Sequence, residues 1–360
     1  MHAERMFRWI PVPLWCYAVP MAAVALGWLP RGHPAYRALT DGLLPFALAL
    51  LLMGVDVPSV VRAGWRALLA MALGSASIVV GAPLIAWLLR AHLPAEAWRG
   101  IGCLAGTWTG GSLNLLALRT VLHTPESMFT SLILVDAMVA YGWMALLMAL
   151  APWQSAWDRG VEARAVWPQL FNEAPSRRQP RGVAVVGRVL LAAGLVMGSR
   201  ALASVVPPPK ALVSSPSGWV VLLVTTFALG ASLIPALRRM GAQSERLGQG
   251  CLYVVLAAMG AQASLAGLWS APVWLLVGLG VALVHGVVMV VGGRLLRLPL
   301  GLLATASQAN FGGVVSAPLV GAIYERRLVP IGFCLAIVGN ALGTYLGLGS
   351  ALLARLLLKS

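Results

Sequence analysis

Eleven runs of apolar residues, most close to the length of a bilayer crossing, dominate this 360-residue chain. They fall near 10–29, 42–57, 66–90, 98–122, 127–150, 183–205, 217–236, 247–267, 271–293, 300–323 and 328–356. A helix needs ~20 apolar residues to cross the hydrocarbon core. Within lipid every backbone N–H and C=O must be satisfied inside the protein, so such runs become helices. The chain is 59% hydrophobic and 10% charged, against roughly 25% charged for a soluble domain. The expected fold is therefore all-α, a polytopic transmembrane helical bundle of about 10–11 spans.

The formal net charge of +15 does not make this a nucleic-acid-binding protein. Its Lys and Arg residues are scattered through short connections rather than gathered on one surface. Their distribution reads as orientation instead. With the N-terminus outside, the cytoplasmic connections hold Arg31, Arg37, Arg90, Arg99, the segment 152–182, Arg238, Arg239, Arg246, Arg294, Arg297 and the C-terminal tail. Four single cysteines (Cys16, Cys103, Cys251, Cys334) show no metal or redox spacing and read as core residues. Arg5 and Arg8 precede an apolar run that contains Pro13 and Pro20 and lacks a small-residue cleavage site, which reads as a retained first span.

The long polar segment 152–182 divides the chain into a first repeat, 1–151, and a second, 183–360, the second with one extra span. The two halves can be overlaid at a nearly constant shift of roughly two hundred residues. Leu26–Pro30 meets Ala231–Pro235, Leu52–Asp56 meets Ala258–Gln262, Gly110-Gly111 meets Gly312-Gly313, and Asp136 with Tyr141 meets Asn340 with Tyr345. Transporters built from two copies commonly insert them with opposite topology, and an inverted repeat is expected here by that analogy. A plain span count gives six spans between equivalents, which would make the copies parallel.

Two apolar runs are interrupted in matching ways. One contains Thr109-Gly110-Gly111-Ser112-Leu113-Asn114 and the other Ser307-Gln308-Ala309-Asn310-Phe311-Gly312-Gly313. Adjacent glycines flanked by amides and hydroxyls offer the backbone alternatives to the helix. The expected result is a broken helix in each half, with half-helix ends and unwound backbone available to an ion or a substrate. Glycines that only allow close helix contact are the plainer alternative. The candidate binding residues are Thr109, Gly110, Gly111, Ser112, Asn114, Asp136, Gln308, Asn310, Gly312, Gly313 and Asn340.

Asp136 falls about nine residues into its run, near mid-membrane at ~1.5 Å per residue. A carboxylate there costs about 2.5–3.5 kcal/mol on insertion scales and is seldom idle. It is the expected coupling group for Na⁺ or H⁺, and Na⁺ near Asp136 is the only metal anticipated. Asp56 reads as a helix cap or a second site residue. Arg119 is placed to pair with Asp136 or an anionic substrate, or to snorkel to the interface. His285 reads as a hydrogen-bonded core histidine or a proton relay. No catalytic residue and no enzymatic activity are expected, because HExxH, GxSxG and P-loop patterns are absent. A Ser112 nucleophile with His285 as base is the one enzymatic pairing considered.

The stretch Gly106–Asn114 followed by Val135-Asp136, with Ala306–Gly313, Ser316-Ala317-Pro318 and Gly343-Thr344-Tyr345, resembles the YjcL-like family of bacterial membrane proteins, domain of unknown function 819. That likeness covers nearly the whole chain. Phe311 and Ser316 stand where the family more often has Ile and Thr. The repeated pattern of a broken helix followed by a polar-residue helix is similar in architecture to cation/proton antiporters and bile-acid symporters. The likeness implies a core formed by 98–150 and 300–356. It also implies a multi-pass protein of the bacterial inner (cell) membrane. The function expected is ion-coupled secondary transport of an unidentified small solute, with no cofactor beyond the coupling ion. The expected partners are the lipid bilayer and a small-molecule or ion substrate, with a homodimer compatible with such a chain. A passive channel, and a non-transporting scaffold or intramembrane enzyme, are the competing readings. If the two glycine motifs lie far apart in the fold, a shared site is excluded.

Overall fold

The computed structural model describes residues 12–55, 64–163, 182–206, 216–242, 244–262, 271–314 and 316–358. Asp56, Arg5, Arg8 and most of the 152–182 segment lie outside these. Among the described residues there is no strand. The helices are α1 Val12–Ala25, α2 Pro34–Leu52, α3 Trp65–Leu88, α4 Ala97–Gly110, α5 Ser112–Leu122, α6 Glu126–Ala149, α7 Gln154–Gly160, α8 Gly182–Val205, α9 Pro216–Ser232, α10 Pro235–Ala242, α11 Glu245–Gln262, α12 Ala271–Leu295, α13 Leu300–Phe311, α14 Ser316–Tyr324 and α15 Leu328–Leu357.

Each apolar run forms helix over most of its described residues, and the two glycine-interrupted runs form helix pairs, α4–α5 and α13–α14. Six segments are long and apolar enough to cross a bilayer unaided, namely Pro34–Leu52, Trp65–Leu88, Glu126–Gly160, Val185–Val205, Ala271–Leu295 and Leu328–Leu357. The remaining runs form shorter helices, so about half of the expected spans reach full length as single helices. Proline enters α1, α2 and α3 at Pro20, Pro45 and Pro83, a substitution that buried membrane helices tolerate because neighbours satisfy the freed carbonyls.

The chain forms two compact units, each taking segments from both halves of the sequence. One comprises 1–55, 119–137 and 180–274. In it α11 packs on α1 and α2, and α9 packs on α2. Gly248 lies against Leu50 and Leu51, and Gly260 against the backbone of Tyr17. Tyr17 reaches the chain after α5: its ring meets Phe129 edge-on at 6.3 Å and its hydroxyl hydrogen-bonds Thr130 Oγ1 at 3.1 Å. These contacts draw residues 119–137 into this unit. The expectation that 98–150 forms one body is corrected accordingly.

The other unit comprises 56–118, 138–179 and 275–360. Its centre is α15, which packs on α4, α3, α13 and α14. Leu302, Leu303, Ile331, Leu335, Val320 and Ala306 are among its buried core. Helix α7, the first part of the polar segment, is fixed in this unit by Trp157 Nε1 donating to Leu298 O at 3.0 Å. Asp158 Oδ1 accepts from Leu300 N at 2.9 Å and so caps the start of α13.

Candidate functional site

Helix α4 stops at Gly110 because Gly111 adopts φ +84° and ψ 171°. That backbone region is essentially closed to residues with a Cβ. The next helix, α5, begins at once with Ser112. In the second interruption α13 stops at Phe311, Gly312 has φ −123°, and Gly313 takes the positive φ of +89°. Helix α14 restarts at Ser316. In each pair, then, one glycine makes the turn: Gly111 in the first and Gly313 in the second.

The two turning glycines lie close together. A Cβ built on either would lie 3.9 Å from the Cα of the other. The separation that would exclude a shared site does not occur. Both breaks belong to one unit, so four half-helix ends converge there. The N-terminal ends of α5 and α14 carry partial positive charge, and the C-terminal ends of α4 and α13 partial negative charge.

The other glycines of the motifs serve packing. Gly102, Gly106 and Gly110 on α4 face Gly347, Gly343 and Gly339 on α15. A Cβ on Gly343 would lie 2.8 Å from the Gly106 carbonyl oxygen, and one on Gly347 would lie 2.7 Å from that of Gly102. This is an antiparallel small-residue seam, with four-residue spacing on both helices. The plainer alternative for the glycine pair therefore holds for Gly110, and the helix-breaking reading describes Gly111. Gly312 lies beneath the Gln308 amide and the Ser316 hydroxyl, where any side chain would collide.

The polar residues at the breaks divide into occupied and free groups. Thr109 Oγ1 bonds Ala105 O and Gly106 O within its own helix. Asn114 Nδ2 donates to Gly110 O at 2.9 Å, satisfying a carbonyl at the break, while its Oδ1 accepts from Thr344 Oγ1 at 2.7 Å. Asn310 Oδ1 accepts from Ser75 Oγ at 2.6 Å, and its Nδ2 donates to Ala306 O and Met71 O. Each side-chain N and O of both asparagines thus has a partner, and they tie the broken helices to α15 and α3. Gln308 differs. Its Nε2 donates to Ser316 Oγ at 3.1 Å, but its Oε1 has no partner although the side chain is only 1% exposed. A buried acceptor left unpaired costs about 1–3 kcal/mol. The Asn340 Oδ1 lies 3.3 Å from the position a Cβ on Gly111 would take, and Ser112 is partly exposed beside it.

Around the breaks lies an aromatic cluster. Phe311 stacks between Trp108 (5.6 Å) and Trp143 (5.5 Å), and His285 meets its edge at 5.0 Å. The Trp108 indole N–H is buried without a hydrogen bond. His285 anchors a polar chain that the sequence reading did not foresee. Trp143 Nε1 donates to Ser307 Oγ at 2.8 Å, and Ser307 Oγ pairs with His285 Nε2 at 2.8 Å. On the other side Nδ1 pairs with Ser77 Oγ at 2.9 Å, while Ser77 donates to Gly74 O at 2.6 Å. A neutral imidazole protonated at Nδ1 satisfies the whole chain. His285 is thus a hydrogen-bonded core histidine whose hydroxyl partners are Ser77 and Ser307.

Asp136 belongs to the other unit, on α6, and is 9% exposed. Arg119 pairs with Glu126, and its guanidinium lies 5.0 Å from the centre of the Phe129 ring. The α5–α6 turn brings the Arg119 and Glu126 side chains together. Arg188, which no motif singled out, is buried in α8 of the same unit at 3% exposure. Buried charges therefore lie in the unit of Asp136, while the break segments 109–114 and 307–314 and residue 340 carry no charged side chain. Among the described residues no group of His, Cys, Asp and Glu has metal-binding geometry.

Comparison with known proteins agrees with the motif likeness. Residues 2–357 match the family described as protein of unknown function (DUF819), and the chain belongs to that family. It is 24% identical over 368 residues to the uncharacterized membrane protein YjcL of Bacillus subtilis (strain 168), covering 96% of this chain and 91% of that protein.

Proposed function

We propose that this DUF819 membrane protein is an ion-coupled secondary transporter whose substrate site lies at the two broken helices. The observation that carries this reading is the close approach of Gly111 and Gly313. Non-helical backbone inside a membrane protein is tolerated where it is buried or lines a cavity, and opposed half-helix ends are the ion and substrate sites of secondary transporters. Gln308, Asn340, Ser112 and the turn backbone hold the solute by dipoles rather than by charge. Asp136 is the coupling carboxylate, taking up Na⁺ or H⁺. The two broken helices are equivalent elements of an inverted repeat, and the protein resides in the bacterial inner membrane. Catalysis is a poorer reading: the Ser307 hydroxyl that meets His285 is buried and already held by Trp143.

The test is the unfolding midpoint of purified protein across a Na⁺ series and a pH series, for wild type, Asp136→Asn and Gln308→Leu. The wild type is expected to gain stability with one ion, as a native-state ligand requires. Asp136→Asn should lose that response, and Gln308→Leu should keep it. An ion response unchanged in Asp136→Asn removes Asp136 from the mechanism.

A further inference from the structure

A cleft of about 710 Å³ opens at the C-terminal ends of α6 and α12, away from the helix breaks. It is lined by Leu150, Trp153, Ala156, Trp157, Val290 and Arg294, with Glu162 and Arg297 at one edge. Helices α6 and α12 have 24 and 25 residues, or about 36 Å at ~1.5 Å per residue. That exceeds the ~30 Å hydrocarbon core, so their ends stand at the depth where acyl chains meet headgroups. Tryptophan and arginine at span ends are the side chains of that boundary.

Hydrogen bonds hold one wall to its neighbours. Helix α7 is fixed through Trp157 to Leu298 O and through Asp158 to the α13 N-terminus, and Gln154 Nε2 reaches Glu325 Oε1 at 3.1 Å. Leu150, Ala156 and Val290 give the cleft an apolar surface, and Trp153 is 60% exposed. At the rim the Arg294 guanidinium lies 4.8 Å from the Trp157 ring centre, and it has no ion-pair partner among the described residues. Arg297 meets Glu162 at 3.0 Å in a pair that is well exposed and therefore weak.

We propose that this cleft binds a phospholipid with an anionic headgroup: the phosphate meets Arg294 and Arg297, and an acyl chain lies on the Leu150–Val290 surface. Basic pockets between membrane helices take such headgroups. Glu162 engages one arginine at most, so the rim keeps a net positive charge. An apolar surface beside a cationic rim favours a lipid over a free phosphate ion, which would leave that surface unused.

The test counts lipids bound to the detergent-solubilised full-length protein by native mass spectrometry, and follows its unfolding midpoint. Phosphatidylglycerol, phosphatidylcholine and inorganic phosphate are added in separate arms. Phosphatidylglycerol is expected to be retained and to raise the midpoint, with phosphatidylcholine weaker and inorganic phosphate without effect. Arg294→Gln should weaken phosphatidylglycerol about fivefold, from ~1 kcal/mol per basic residue at an anionic surface, while leaving the lipid-free midpoint unchanged. Arg90 provides the control. It also stacks on a tryptophan, 4.7 Å from the Trp87 ring centre, but does not line the cleft, so Arg90→Gln should bind as wild type. Equal retention of the two lipids overturns the assignment. So does a full effect from inorganic phosphate, wild-type binding by Arg294→Gln, or an equal loss in Arg90→Gln.

Discussion

Gly111→Ala is the sharpest probe of the close approach between the breaks. The added methyl has two consequences. It forces φ +84° and ψ 171° on a residue with a Cβ, a strained conformation worth about 1–3 kcal/mol. It also lies 3.3 Å from the Asn340 Oδ1 and 3.9 Å from the Gly313 Cα, so the neighbouring break must shift to receive it. Gly142 supplies the internal reference: it is helical in α6, its φ is ordinary, and nothing lies within 4 Å of an added Cβ. Alanine there stabilises by about 0.4–1 kcal/mol by restricting the unfolded chain. The two variants should differ by at least about 1.5 kcal/mol, or roughly tenfold in the unfolding constant. Denaturant titration of both variants in one detergent, followed by tryptophan fluorescence, measures the difference. If Gly111→Ala is as stable as Gly142→Ala, the turn at residue 111 is not held in the glycine-only region and the broken-helix geometry is wrong.

Two further outcomes concern how the breaks are held. Asn114→Ala removes the bonds to Gly110 O and Thr344 Oγ1; at ~0.6–1.7 kcal/mol each in membrane interiors, it should cost about 1–3 kcal/mol in the same titration. Thr344→Val should cost less, and the double variant should fall short of the sum by about 0.6 kcal/mol because one bond is shared; full additivity would show that the two side chains do not meet. Gly343→Leu drives a side chain into Asn114 and the Gly106 carbonyl, whereas a Cβ added at Gly349 on the same helix meets nothing within 4 Å, and Gly349→Leu is the comparison. The first should abolish recovery of monodisperse protein in size-exclusion chromatography and the second should leave it intact; equal recovery would sink the α4–α15 seam.

How much was legible in the sequence follows from the range of each interaction. The helices were readable because the apolar runs are local, and the two interruptions because glycine pairs among amides stand out in them. The seam had a local signal as well: Gly102, Gly106 and Gly110, and Gly339, Gly343 and Gly347, repeat at four-residue spacing. Gly110 belongs both to this row and to the Gly110-Gly111 pair, so the two signals overlap at one residue. The Ser77–His285–Ser307–Trp143 chain had no local signal, since its members lie on four helices far apart in sequence. The pairing of Arg119 with Glu126 was accessible: seven residues and one short turn separate them.

Residue type at the breaks identified where polarity gathers, but not which polarity is spare. Asn114, Asn310 and Gln308 are alike in a sequence, each an amide beside a glycine pair. In the fold the two asparagines spend every polar atom on Gly110, Thr344, Ser75, Ala306 and Met71. Of these, Gly110 O lies at a break, while Met71, Ser75 and Thr344 lie on neighbouring helices. Only Gln308 retains a buried, unpaired oxygen, and it does so above Gly312, where a larger residue would displace the amide. A ligand that enters the breaks therefore gains most from Gln308 Oε1, because that atom alone among the three amides exchanges an unmet acceptor for a bond. Ligand affinity should fall on substituting Gln308 with little loss of fold, whereas substituting Asn114 or Asn310 should unfold the breaks first.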